Sequence, residues 1–172
     1  MSGATGGAGR GGTPATVALT AAAVAFELRA YDVRTEDHQS SSRSYGAEAA
    51  EALGVPAEAV FKTLVARVDG RLTMAVVPVS GALDLKALAL AVGGKRAIMA
   101  EPADAERATG SVVGGISPVG SRTALPVVVD DSALGLERMW VSAGRRGLQV
   151  SLAPADLVAV TSARTAPIRR GR

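Results

Sequence analysis

The sequence predicts an α+β fold: a mixed, barrel-like β-sheet with flanking short helices. Three observations carry that prediction. Short apolar runs of strand composition recur along the chain, and only a few short helical stretches interrupt them. Asp69-Gly70 separates two such runs as a hairpin turn does. No internal repeat is evident, so the elements belong to one packed domain rather than a stacked array.

Residues 1–12 are Gly-rich and of low complexity, and are expected to be disordered. Thr13-Pro14 then reads as an N-cap followed by proline in the first turn, opening an Ala/Val/Leu helix to about Ala25. Phe26 to Val33 alternates as a strand, and 34–44 is a polar loop containing Asp37-His38-Gln39. A helix from about Tyr45 to Leu53 is closed by Gly54. The hairpin 60–68 and 71–77 follows. Asp84 caps a helix carrying Leu85, Leu88 and Val92 on one face, ended by Gly93-Gly94. Arg96 to Met99 reads as a strand and Pro102 to Ala108 as a short helix. The stretch Thr109 to Gly120, with four glycines and a proline, is not regular structure. Three more strands are expected at 126–130, 138–142 and 148–152, then a helix from Pro154 to about Val160. The domain is therefore placed at 13–162, with 163–172 as a flexible basic tail.

Composition narrows the chemistry. The 172 residues are 48% hydrophobic but only 3% aromatic, so the core must be built from Ala, Val and Leu. There is no cysteine, which excludes a disulfide framework, a thiolate metal site and a cysteine nucleophile. One histidine, His38, rules out a multi-histidine metal centre and sits in a Ser-rich loop without a base partner for a Ser/His/Asp hydrolase. The apolar runs, such as Ala21 to Phe26, are far shorter than a membrane span, and the N-terminal stretch lacks a secretory pattern, so a soluble cytoplasmic protein is expected. Net charge is +3. The surplus lies in Arg145-Arg146 and in Arg164, Arg169, Arg170 and Arg172, compatible with an RNA backbone, while scarce aromatics argue against a broad base-stacking sheet.

Three places attract chemistry. Strand side chains alternate, so Lys62 shares a face with Val60, Leu64, Ala66 and Val68, which should point at the core. A lysine there marks a pocket, or else its stem packs on apolar neighbours while the ammonium snorkels to the rim. Glycines in 109–120 let a backbone approach a ligand and offer N–H groups to an oxygen anion, yet the segment matches neither the P-loop, the dinucleotide fingerprint nor the nucleophile elbow; a long structural turn is the alternative. Ser142-Ala143-Gly144-Arg145-Arg146-Gly147 is a strand end running into a basic turn, read either as a substrate contact or as a solvated hairpin.

A resemblance goes further than these patterns. Thr13-Pro14-Ala15, Val60-Phe61-Lys62-Thr63-Leu64, Pro78-Val79-Ser80-Gly81, Leu83-Asp84-Leu85-Lys86, Thr109-Gly110, Val113 to Pro118 and Val141 to Leu148 follow one another as in the YbaK family. These are bacterial Cys-tRNA(Pro) deacylases related to the editing domain of prolyl-tRNA synthetase, and the likeness runs from about residue 13 to 160. It implies the YbaK/prolyl-tRNA synthetase-associated domain fold. It also implies a trans-editing aminoacyl-tRNA deacylase, without cofactor or metal, acting on the acceptor end of Cys-tRNA(Pro), with prolyl-tRNA synthetase as a candidate partner and neither membrane nor DNA. Lys62 is then the catalytic residue. Tyr31, Thr63, Gly114, Gly115, Ile116, Ser117, Pro118, Ser142 and Gln149 line the substrate pocket, and Arg145 and Arg146 meet tRNA phosphates. The implied mechanism is substrate-assisted, the cysteinyl thiol attacking its own ester to give a thiolactone. Gln149 stands where these deacylases carry aspartate, and the loop 33–44 is longer than theirs. Alternatives are another substrate such as Ala-tRNA(Pro), or a catalytically silent module that binds tRNA or a nucleotide.

Overall fold

The computed structural model describes residues 12–33 and 45–170, which leaves the Gly-rich segment 1–11, almost all of the polar loop with His38, and residues 171–172 outside the description. Helix α1 (Pro14–Ala21) opens on a reciprocal cap: Thr16 N donates to Thr13 Oγ1 at 3.2 Å and Thr13 N donates to Thr16 Oγ1 at 3.0 Å. It stops short of the expected Ala25, because Ala23 turns left-handed at φ 56°. Strand β1 (Glu27–Ala30) and helix α2 (Tyr45–Leu53) follow, then the hairpin β2 (Phe61–Val68) and β3 (Arg71–Pro78). Its turn residues Asp69 and Gly70 have φ of 49° and 85°, the doubly left-handed geometry that matches strand twist. Next come β4 (Ala82–Leu83), α3 (Leu85–Ala91) capped by Asp84 through Ala87 N at 3.0 Å, β5 (Ala97–Met99) and α4 (Pro102–Thr109). The chain continues through β6 (Val127–Asp130), β7 (Met139–Ser142), β8 (Leu148–Leu152), α5 (Pro154–Thr161), β9 (Arg164–Ala166) and β10 (Arg169–Arg170).

A five-stranded mixed sheet has the order β5-β2-β3-β6-β9; β2 pairs antiparallel with β3 and β5, while β6 runs parallel to both β3 and β9. A second, antiparallel sheet has the order β1-β8-β7, and β10 pairs with β4. A parallel bridge from Val60 to Trp140 joins the start of β2 to β7. The fold is α+β as expected, and its barrel-like character takes the form of two bridged sheets rather than a closed barrel.

The hairpin strands are covered on both sides, which the one-sided reading of β2 did not anticipate. Phe61, Val65, Met74 and Val76 join Val129, Met139, Val141, Val150, Leu152 and Leu157 in the larger core. Ala66, Val68, Ala75 and Val77 join Leu88, Val128 and Ile168 in a second. A central strand buried on both faces reads as a continuous apolar run, as 74–79 does. No helix among the described residues is long and apolar enough to cross a membrane.

The basic tail departs from expectation. Instead of being flexible, residues 164–166 extend the five-stranded sheet beside β6, and 169–170 pair with β4. Charge suggested solvent, but Ile168 between them is 0% exposed, and a buried isoleucine contributes roughly 2 kcal/mol. Asp130 fixes the segment: its Oδ1 accepts from Ile168 N and Arg169 N at 3.0 Å each, and its Oδ2 from Ser132 N at 3.2 Å. Hydrogen bonds to a charged acceptor contribute roughly 1.5–3 kcal/mol apiece. Asp130→Ala should therefore lower the unfolding free energy by at least about 3 kcal/mol. A urea midpoint equal to that of the parent chain would show that the tail is not held this way.

Candidate functional site

Strand β2 is longer than its neighbour on one side, and a cavity follows from that mismatch. On the edge away from β3, β5 pairs with Ala66 to Val68, and Ala100 N reaches Val65 O at 3.0 Å. At the other end Val60 bridges to β7. Between these two, no strand among the described residues lies beside the Phe61–Leu64 edge. A cavity of about 250 Å³ occupies the gap, walled by residues 61–65, by Met99, Ala100, Pro102 and Ala105, by Tyr45 and Gly46, by Val113, Gly114 and Ile116, and by Ser142 and Gln149.

Most of these walls are apolar, and three polar features stand out. Lys62 is half-buried, and burial holds its ammonium below the usual lysine pKa. No carboxylate lines the cavity among the described residues, and none forms an ion pair with Lys62. Thr63 Oγ1 and Gln149 Oε1 are buried without a hydrogen-bond partner. Buried polar atoms are seldom left so, and each such pair of orphans facing a cavity marks where a ligand or water completes the bonding. Ser142 and Gln149 are direct cross-strand partners in β7 and β8, 8% and 6% exposed, which places both side chains on one sheet face. Ser142 Oγ accepts from Gly144 N at 3.3 Å, so its own proton remains to donate.

The glycine-rich segment is held from behind. Gly115 N donates to Val112 O at 2.9 Å, Ser111 Oγ donates to Gly144 O at 3.3 Å, and Val119 N donates to Ser117 Oγ at 3.2 Å. A Cβ on Gly115 would lie 2.6 Å from Arg146 N, so this position admits glycine alone without backbone movement. Gly114, at φ 91°, packs against the Tyr45 ring, where a Cβ would fall 2.6 Å from Cδ2. Gly115 N–H is committed to Val112, while Gly114 and Ile116 are the glycine-loop residues that line the cavity beside Val113.

The residues expected at a substrate pocket thus divide. Lys62, Thr63, Gly114, Ile116, Ser142 and Gln149 converge on the cavity. Gly115, Ser117 and Pro118 lie behind the loop, buried. Tyr31 is outside the lining: its N donates to Gly147 O at 2.9 Å, and its phenol sits by Gln149. Burial raises the Tyr31 pKa, with the Gln149 side chain acting against that rise and the Glu48 carboxylate adding to it. Arg145 is exposed at the turn. Arg146 is engaged: its Nε donates to Val113 O at 2.8 Å and its guanidinium lies 4.7 Å from the centre of the Tyr45 ring. Sequence reasoning missed Tyr45 and the Met99–Ala105 wall. The available signal was Tyr45 itself, one of two tyrosines in the chain, at the head of a helix.

With this geometry in view, the comparisons with known proteins are informative. The sequence model of the aminoacyl-tRNA editing domain matches residues 40–160. A protein of Enterococcus faecalis described as a candidate Cys-tRNA(Pro)/Cys-tRNA(Cys) deacylase is 38% identical over 137 residues, 78% of this chain and 79% of that one. A proline–tRNA ligase of Acidithiobacillus ferrooxidans is 31% identical over 102 residues, 59% of this chain but 18% of the ligase. A crystal structure described as a candidate trans-editing enzyme for prolyl-tRNA synthetase superposes with a TM-score of 0.72 at 28% identity, covering 85% of this chain and 87% of that one.

The half-buried lysine gives a prediction that needs no substrate. Because burial lowers its pKa, the neutral amine of Lys62 appears at lower pH than that of a fully solvated lysine side chain. Labelling with an amine-selective reagent across a pH series, read peptide by peptide, should show the Lys62 midpoint displaced downward. A midpoint equal to that of a free lysine side chain in a short peptide would mean that Lys62 is solvated.

Proposed function

The chain belongs to the aminoacyl-tRNA editing domain family, and on that premise we propose that it hydrolyses mischarged tRNA in trans in the cytoplasm, with Cys-tRNA(Pro) as substrate. The observation that carries this reading is the cavity's content: a lysine without a carboxylate partner beside two unpartnered polar atoms, Thr63 Oγ1 and Gln149 Oε1. A cavity of about 250 Å³ suits an aminoacyl group with part of its ribose, leaving the rest of the tRNA outside.

In this reading the ester lies along the open edge of β2. The Lys62 ammonium faces the carbonyl and leaving oxygens, where negative charge grows in the transition state, and the N–H groups of Gly114 and Ile116 share that charge. Gln149 Oε1 accepts from the α-amino group, and Thr63 and Ser142 bond the ribose hydroxyl and ester oxygens. The family resemblance implies that the substrate's own thiol is the nucleophile, and a chain without cysteine supplies no competing thiol. The thiol sulfur bonds to the carbonyl carbon, the carbon–oxygen bond to the ribose breaks, and the thiol proton ends on the ribose oxygen. Water then opens the thiolactone to free cysteine. The apolar walls hold the reacting groups in one geometry, which supplies the larger part of the acceleration of an intramolecular step. Exposed Arg145 positions the acceptor end through phosphate, and prolyl-tRNA synthetase presents the mischarged tRNA.

The deciding experiment incubates the protein with Cys-tRNA(Pro), Ala-tRNA(Pro) and correctly charged Pro-tRNA(Pro) and follows loss of ester. Loss of the first alone is expected. Selective loss of Ala-tRNA(Pro) would reassign the substrate, and binding without loss of any ester would indicate a silent tRNA-binding module.

Lys62→Ala should reduce deacylation by at least ~10²-fold, equivalent to roughly 3 kcal/mol of transition-state stabilisation, while the far-UV spectrum and melting stay unchanged. Full activity in that variant would reduce the lysine to a snorkelling neighbour. Seryl-tRNA(Pro) should be cleaved far more slowly than the cysteinyl ester, because a hydroxyl is a weaker nucleophile than a thiol at neutral pH; equal rates would instead demand an activated water.

A further inference from the structure

Arg146 was expected to meet phosphate, but its surroundings point elsewhere. Its Nε–H···O bond to Val113 O, 2.8 Å, and the place of its guanidinium over Tyr45, 4.7 Å to the ring centre, restrain the guanidinium at two points. A phosphate contact draws on the guanidinium N–H groups, of which Nε is already given to Val113 O. Both restraining residues line the cavity. Val113 and Met99, also on the lining, are 38% and 46% exposed, which puts the opening on their side. Arg146 itself is exposed, with Tyr45 on one side of its guanidinium. The backbone beneath is immobilised too, since Gly115 packs on the Arg145–Arg146 peptide, with room for no Cβ.

A flat, pre-oriented cation at the mouth of a cavity is a seat for an aromatic ring. Bases stack on guanidinium planes as they do on aromatic side chains, and a guanidinium already backed by a tyrosine loses little freedom when a base is added. The ring that must come to the mouth is set by the substrate: an ester inside the cavity is bonded to a ribose, and that ribose carries the terminal adenine. We propose that Arg146, backed by Tyr45 and tied to Val113, is the stacking platform for the terminal adenine of the substrate. The inference rests on the deacylase reading and deepens it. It leaves Arg145 as the phosphate contact and makes the enzyme's hold on its substrate partly independent of salt, because stacking releases no counterions.

The test uses small esters that carry no phosphate: cysteinyl-adenosine, and the same cysteinyl ester on a ribose ring without a base. The parent protein should prefer the adenosine ester by roughly 10- to 100-fold in kcat/KM, the range expected for one stacked base. Arg146→Ala should bring the two esters close to equal by slowing the adenosine ester, and Arg146→Lys, which keeps the charge but not the plane, should do the same. Equal kcat/KM for the two esters with the parent protein would overturn the stack while leaving the deacylase reading intact. So would an Arg146→Ala loss of equal size on both, which is what a purely structural tie to Val113 gives. Loss on full tRNA with rescue by lysine, and no change on either small ester, would return Arg146 to phosphate binding. If neither ester nor Cys-tRNA(Pro) is cleaved by the parent protein, the platform falls together with the deacylase reading.

Discussion

The cavity exists because one backbone edge is left without a strand. Peptide groups at a sheet edge have to be paired, covered or reached by solvent or ligand. Strand β2 resolves this in three ways along its length: β5 pairs its far end, β7 bridges its beginning, and side chains from four separate segments surround the middle. Everything proposed for the site hangs on that open stretch. Lys62 and Thr63 lie on it, and the glycine loop and Tyr45 close over it. The rigid framework is the fully paired β2–β3 hairpin behind. A site built on the middle of a long strand is more exactly placed than one carried by loops alone, and here the loop that contributes is itself tied at Val112, Gly144 and Arg146.

Electrostatically the cavity is unbalanced in one direction. A cation sits among apolar walls with no carboxylate among the described lining residues, and burial weakens its hold on the proton. Such a group gains most when negative charge arrives beside it, as it does when an ester carbonyl becomes tetrahedral. The neutral Gln149 on the lining, where the resembling deacylases carry aspartate, leaves that imbalance in place.

Much of this was legible in the sequence. Strong local signals survive tertiary context, so the Thr13 and Asp84 caps, the Asp69-Gly70 turn and the strands at 127–130, 139–142 and 148–152 lie where their residues predict. The convergence of Lys62, Gly114, Ile116, Ser142 and Gln149 followed from family likeness rather than from pattern, because periodicity reports which face a residue is on and not what lies opposite. Two failures are instructive. Arginines at 164, 169 and 170 suggested a solvated tail, yet strand pairing is a backbone interaction, and the one apolar residue that matters, Ile168, carries no periodic signal. Arg146 looked like a surface charge because sequence does not show that Val113 O and Tyr45 await it thirty-three residues upstream and beyond.

The placement of β9 and β10 has a consequence for how the molecule comes into being. Every residue assigned to the cavity precedes residue 150, so a growing chain holds the complete chemistry before the outer parallel strand of its main sheet has been made. Until residues 164–170 arrive, the edge of β6 is open and the pocket filled by Ile168 is empty. Pairings that span so many residues form late, because loop closure must precede their reward. Assembly of the second core is thus gated by the last segment described, and the Asp130 carboxylate, whose acceptors stand waiting for the Ile168 and Arg169 amides, is the latch on which that final step closes.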